Sequence, residues 1–215
     1  MKKVGVLAVQ GAFIEHCRRL SELGVTPVEL RKGDDVQTEF DGLVLPGGES
    51  TVQSKLLHEL GMFESLHEKI KGNMPVLGTC AGLILLAQKI ANGGDESQSS
   101  AMHTATLTTS QTPVIGFSTM PVTVLRNAYG RQLGSFHTEG KLFLSRESGE
   151  QVNVTIPMTF IRAPFIAAYG SGVDIITTLE DGTPVGVRYR NQFGVTFHPE
   201  LDNDLQLYSE FIAAL

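Results

Sequence analysis

Residues 75–87, Pro75-Val76-Leu77-Gly78-Thr79-Cys80-Ala81-Gly82-Leu83-Ile84-Leu85-Leu86-Ala87, set a cysteine at a glycine-flanked corner between two apolar runs. Pro75–Thr79 has the length and composition of a buried strand, and Ala81–Ile90 reads as a helix. Gly78-Thr79-Cys80-Ala81-Gly82 has the Gly-x-nucleophile-x-Gly spacing of a sharp strand-to-helix turn that projects its central side chain outward. In open α/β sheets ligands bind outside the carboxyl ends of the strands, which is where Cys80 falls. A helix N-terminus there favours a thiolate, and the Ala81 N–H would point at a developing oxyanion. The same pentapeptide also suits a small buried hydrophobe.

Outward from this corner, strand-like and helix-like segments alternate. Val4–Val9, Val25–Leu30 and Gly42–Leu45 read as strands. Ala12–Leu23 reads as a helix with Phe13, Cys17 and Leu20 on one stripe. Ser50 to about Ile70 reads as helical with a break near Gly61. Continuous apolar strands between amphipathic helices predict an α/β fold, a mostly parallel sheet with helices on both faces. Asn92–Thr112, rich in Gly, Ser, Thr and Gln, reads as a polar surface insertion. Beyond it Val173–Leu179, Val185–Arg190 and Phe193–Phe197, with turns at Asp181-Gly182 and Asn191-Gln192, predict an antiparallel C-terminal extension. Leu205–Leu215 reads as a closing helix. No repeat or linker divides residues 1–215, so one domain is expected.

The 215 residues are 41% hydrophobic and 19% charged, with a formal net charge of -6. That balance gives no electrostatic reason to expect nucleic acid or an anionic membrane. The opening Met1–Ala12 superficially resembles a signal peptide, but its apolar run breaks at Gln10 and Glu15, and a buried first strand is the better reading. No apolar stretch approaches the ~20 residues of a membrane helix. Two cysteines, Cys17 and Cys80, make a poor disulfide framework, so a reducing, cytoplasmic setting is expected. No His/Cys grouping has zinc-site spacing, and no metal is expected.

A thiol nucleophile needs a base, and the base an orienting group. His16, His58 and His67 lie on charged helical segments and read as solvated. His103 lies in the polar insertion and His137 in a less legible stretch. His198 ends a strand and begins His198-Pro199-Glu200. On an extended chain positions i and i+2 share a side, so Glu200 could steer the imidazole. Leu45-Pro46-Gly47-Gly48-Glu49-Ser50 occupies another strand–helix corner. Its glycines could form an anion-binding nest that completes an oxyanion hole; equally, it could be a turn with Ser50 as helix cap.

Taken together and in this order, these corners resemble the class I (triad) glutamine amidotransferases. Val6–Ala12, Leu45–Thr51, Gly78–Leu86, Arg126-Asn127-Ala128-Tyr129-Gly130-Arg131-Gln132, Phe160–Pro164 and Thr196–Leu201 narrow the resemblance to the PdxT family, the glutaminase subunits of pyridoxal 5'-phosphate synthase. The resemblance spans nearly the whole chain and implies a three-layer, flavodoxin-like fold. It implies Cys80 as nucleophile, His198 as acid and base, and Glu200 as orienter. L-Glutamine would be held by Gly47, Gly48, Glu49, Arg126, Ile161 and Arg162, with Ala81 at the oxyanion and Gln10 bordering the site. An Arg fork suits the substrate carboxylate; either Arg126 or Arg162 could supply it, or could form an internal ion pair. The resemblance further implies an ammonia-accepting (β/α)8 synthase partner, assembled as twelve copies of each subunit. It implies no resident cofactor, pyridoxal phosphate being the pathway product. Two features depart from the family pattern: the length of 92–112, and His137 where an acidic residue is usual. The residues also admit another class I amidotransferase, a stand-alone γ-glutamyl or peptide cysteine hydrolase, or a non-catalytic scaffold.

Overall fold

The strands of the sheet bury alternate residues on opposite faces, which is why helices cover both. In this computed structural model residues 1–92, 114–126, 135–145 and 151–215 are described. The first half runs β1 (Lys3–Leu7), α1 (Phe13–Glu22), β2 (Thr26–Leu30), β3 (Gly42–Leu45), α2 (Ser50–Glu59), α3 (Phe63–Lys71), β4 (Val76–Thr79) and α4 (Ala81–Leu86). It continues through β5 (Ala87–Asn92), β6 (Met120–Arg126), β7 (Ser135–Ser145), β8 (Gln151–Ile161) and β9 (Phe165–Tyr169). The chain closes with β10 (Val173–Leu179), β11 (Pro184–Tyr189), β12 (Gln192–Val195) and α5 (Gln206–Ala213).

The large sheet has the order β2-β1-β3-β4-β12-β11-β10-β7-β8. From β2 to β12 neighbouring strands are parallel; from β12 to β8 they are antiparallel. The predicted C-terminal extension is therefore real, and it is joined to the parallel half by β12 lying beside β4. Leu43, Leu45 and Val76 face a core closed by Leu57 of α2, Leu66 of α3 and Leu83 of α4. Val4, Val6, Val44 and Leu77 face the other core, closed by Leu20 of α1 and Leu207, Tyr208 and Phe211 of α5. Two covered faces give the three-layer arrangement expected of near-continuous apolar strands.

One sequence reading needs correction, and one element carries no local sequence signal. The helix after Cys80 ends at Leu86 rather than Ile90, and 87–92 form β5, paired in parallel with β6. Local periodicity cannot separate a short buried helix from a buried strand. Here the Leu85 carbonyl, an orphan acceptor at the helix end, is taken by the N–H groups of Phe117 and Ser118, and the chain turns into a second sheet β5-β6-β9. The β7–β8 hairpin, an eleven-residue register from Ser135↔Ile161 to Ser145↔Gln151, was not read from the sequence at all. The polar insertion lies outside the described residues except for the Asn92 backbone, as do Asn127–Gln132.

Gly78 and Gly82 serve the corner by clearance. A Cβ on Gly82 would sit 2.0 Å from the Leu45 carbonyl oxygen, and one on Gly78 would sit 2.8 Å from the Gly82 carbonyl carbon. Gly82 thus lets α4 pack directly on β3. Gly82→Ala is expected to destabilise the fold by about 1–3 kcal/mol, as overpacking against backbone does; urea unfolding followed by far-UV circular dichroism checks this.

Candidate active site

Cys80 stands at the carboxyl end of β4 with φ 48 and ψ −99, one of few non-glycine residues with positive φ. Such backbone strain at a strand–helix junction collects at functional sites. The strain belongs to the cysteine itself, not to its flanking glycines. Its N–H donates to the Val195 carbonyl at 2.8 Å, which ties the corner to β12. Ala81 is the first helical residue of α4, so its N–H has no partner within that helix.

β12 delivers His198. His198 Nδ1 lies 2.7 Å from Glu200 Oε1, and both side chains are almost fully buried. The sequence reading found this pair for the wrong reason. Pro199–Leu201 is a 3-10 turn with Pro199 in its first position, not an extended segment. Proline suits a helical first position because it has no N–H to leave unsatisfied. With Nδ1 committed to Glu200, Nε2 is the ring nitrogen available to sulfur. Burial disfavours the imidazolium, but hydrogen bonds with Cys80 and Glu200 outweigh it and push His198 up to about 10. Burial likewise opposes the Glu200 carboxylate, but His16 and His198 hold it below the usual carboxylate range.

The glycine loop closes the opposite wall. Gly47 abuts the imidazole, since a Cβ there would lie 2.3 Å from His198 Cε1. Its carbonyl accepts from the Ala12 N–H at 3.2 Å, so across a trans peptide the Gly48 N–H points away from Ala12. Glu49, not Ser50, caps α2: its carboxylate accepts from the N–H groups of Thr51 (3.1 Å) and Val52 (2.7 Å). Burial opposes this charge as well, yet those two bonds and Arg126 lower the Glu49 carboxyl from its ordinary value. Gln10 braces the loop, accepting from the Glu49 N–H at 2.8 Å. Gln53, which the sequence reading missed, donates to the Gln10 and Pro46 carbonyls.

A cavity of about 400 Å³ brings together Gln10, Gly48, Glu49, Cys80, Arg126, Ile161, Arg162 and His198. The predicted site residues are therefore neighbours, with Gly47 and Ala81 flanking them in sequence. Arg126 has the internal ion pair left open above: it lies 3.4 Å from Glu49 and donates to Thr51 Oγ1 at 3.1 Å. Arg162 follows β8 with a positive φ of 44 and lines the cavity. His137 lies outside this group. It is largely exposed and contacts Thr159 at 3.0 Å and Asp202 at 3.5 Å. Among the described residues no cluster of three or more His, Cys, Asp or Glu could hold a metal.

His16 overturns its reading as a solvated residue: it is fully buried, behind Glu200. The overlooked signal was spacing. Residues 13, 16, 17 and 20 lie on one helical face, so His16 belongs to the apolar stripe despite its charged neighbours. Cys17, the other thiol, is half-buried, and burial raises it to about 11.

A strained cysteine corner on this sheet order, facing a histidine–glutamate pair, defines a class I glutamine amidotransferase-like protein. The chain belongs to the SNO glutamine amidotransferase family, which it matches over residues 6–215. It is 51% identical over 213 residues to the pyridoxal 5'-phosphate synthase subunit PdxT of Desulfitobacterium hafniense (strain Y51), covering 99% of this chain and 93% of that protein. It is 45% identical over 210 residues to the protein of the same description from Methanocorpusculum labreanum, covering 98% and 96%. A crystal structure of a glutamine amidotransferase superposes with a TM-score of 0.79 at 32% identity, covering 98% and 97%.

Two outcomes are expected. Gly47→Ala should displace the imidazole and lower turnover about 100-fold, the scale of a misplaced reacting group, while Tm changes little; steady-state kinetics and calorimetry check this. The raised His198 contributes stability that is full below its ordinary 6.5 and is lost as pH rises through about 10. The stability difference between the wild type and His198→Gln should therefore shrink across that window in urea unfolding.

Proposed function

We propose that this chain is the glutaminase subunit of pyridoxal 5'-phosphate synthase, hydrolysing L-glutamine to L-glutamate and ammonia. The observation that carries the reading is the meeting of Cys80, the His198–Glu200 pair and the Glu49–Arg126 pair at one cavity. It is supported by family membership and by the names of relatives matched over nearly their whole length.

In this reading Cys80 Sγ attacks the amide carbon of glutamine. The tetrahedral oxyanion is met by the N–H groups of Ala81 and the Gly47-Gly48 loop. His198 Nε2 donates its proton to the departing nitrogen, ammonia leaves, and a glutamyl thioester remains. His198 then takes a proton from water, hydroxide attacks the thioester, and glutamate leaves as the thiol is restored. Glu200 fixes the ring and stabilises its charge. Cys80 and His198 are both buried, and the lower local dielectric strengthens the interactions between them.

Recognition of a free amino acid requires groups for both charged ends. Arg126 is occupied by Glu49 and Thr51, so Arg162 takes the α-carboxylate, and Glu49, held in place by Arg126, takes the α-ammonium. Ammonia passes to a (β/α)8 synthase subunit in an assembly of twelve plus twelve, and no resident cofactor takes part.

The test is glutamate release from L-glutamine with and without the synthase subunit. Stimulation by the partner, with pyridoxal phosphate formed from ribose 5-phosphate and glyceraldehyde 3-phosphate, is the expected result. Fast turnover indifferent to the partner would instead indicate a free-standing hydrolase. Cys80→Ala should abolish turnover while retaining the fold. Arg162→Gln should raise KM about tenfold or more, the loss of a charged hydrogen bond, with kcat less affected.

A further inference from the structure

Behind the His198–Glu200 pair lies a second layer of buried polar groups. Glu200 Oε1 is committed to His198, but Oε2 makes no regular hydrogen bond among the described residues. The group facing Oε2 is His16 Nε2, 3.4 Å away, an electrostatic contact rather than a full hydrogen bond. A carboxylate oxygen buried this deeply needs a positive or N–H partner, and His16 is the side chain that offers one.

The tautomer of His16 follows from its other neighbours. The Tyr208 hydroxyl lies 2.7 Å from Nδ1, and Thr79 Oγ1 lies 3.1 Å from Nε2. A proton on Nδ1 would turn the Nε2 lone pair toward the Glu200 carboxylate, a repulsive arrangement. A proton on Nε2 removes that repulsion, provides a donor shared between Thr79 and Glu200, and leaves Nδ1 to accept from Tyr208. The charged and titratable groups acting on His16 come from several elements: Glu200 from the 3-10 turn, His198 before it, Glu15 on its own helix and Tyr208 on α5. Burial dominates among them and keeps His16 neutral.

We propose that His16, as the neutral Nε2–H tautomer fixed by the Tyr208 hydroxyl, is a positioning residue that holds the second carboxylate oxygen of Glu200 and thereby sets the orientation and charge of His198. The link runs from α5 through α1 to the reacting thiol: Tyr208, His16, Glu200, His198, Cys80. Arg19, one turn along α1, fastens the same turn by donating to the Glu200 carbonyl at 3.3 Å. Helix α1 thus grips Glu200 by backbone and side chain together.

The inference rests on the triad reading of the site, so its test uses readouts independent of glutamine turnover. His198 ring titration by NMR, and the pH dependence of Cys80 alkylation by iodoacetamide, are compared in the wild type, His16→Leu, His16→Gln and Tyr208→Phe. Gln can place an N–H donor near the position of Nε2, whereas Leu cannot. The expected result is that His16→Leu, folded, moves the His198 midpoint from about 10 toward 6.5 and flattens the alkylation profile, while His16→Gln restores both. Where glutamine is turned over, kcat should fall about tenfold with KM unchanged. Should His16→Leu fail to fold, Tyr208→Phe reads the same link, and a smaller shift in the same direction is expected. Unchanged His198 and alkylation profiles in either folded variant would overturn the proposal and leave His16 a packing residue. Loss of glutamine turnover with unchanged profiles would overturn it equally. A wild type whose alkylation shows no dependence on His198 would instead count against the triad reading itself.

Discussion

The backbone of Cys80 is the constraint on which the site depends. A cysteine with φ 48 and ψ −99 is held against its own preference, at a cost of about 1–3 kcal/mol. Burial in the adjoining helix offsets that strain several times over. Leu83, Ile84, Leu85 and Leu86 are all buried, each worth about 1.5–3 kcal/mol. The Cys80 N–H to Val195 bond then fixes the corner against β12, the strand that leads to His198. The proposed nucleophile and base are thus presented by neighbouring strands of one sheet.

Electrostatics supply the second half of the design. The buried layer under the thiol holds one carboxylate, Glu200, between two histidines that differ in state. His198, hydrogen bonded to the carboxylate, is raised and held cationic; His16, buried more completely, is held neutral. Without its partners Glu200 would be a buried lone charge, an arrangement proteins avoid by protonation or rearrangement. On the far wall Glu49 joins a helix cap to Arg126, so the carboxylate proposed to bind the substrate ammonium also shapes the loop.

Much of this was legible in the residues. The alternation of strands and helices, the cysteine corner, the His-x-Glu pair and the glycine loop all carry local signals. Two of the failures were non-local. The end of α4 is decided by pairing with β6, which periodicity around Leu86 cannot register. The β7–β8 hairpin is made by cross-strand register between distant segments. His16 looked solvated because Glu15, Arg18 and Arg19 surround it in sequence, yet it shares the helical face of Phe13, Cys17 and Leu20 and is fully buried. Pro199 was read as holding an extended chain, although proline fits the first position of a 3-10 turn equally well.

The central claim is that the strained corner makes Cys80, and not Cys17, the thiol that reacts with glutamine. Labelling with a glutamine-shaped diazo ketone, followed by peptide mass mapping, tests it most directly. One adduct on the peptide carrying Cys80, suppressed by excess L-glutamine, is the predicted result. Labelling at Cys17, or labelling that L-glutamine does not suppress, would contradict it.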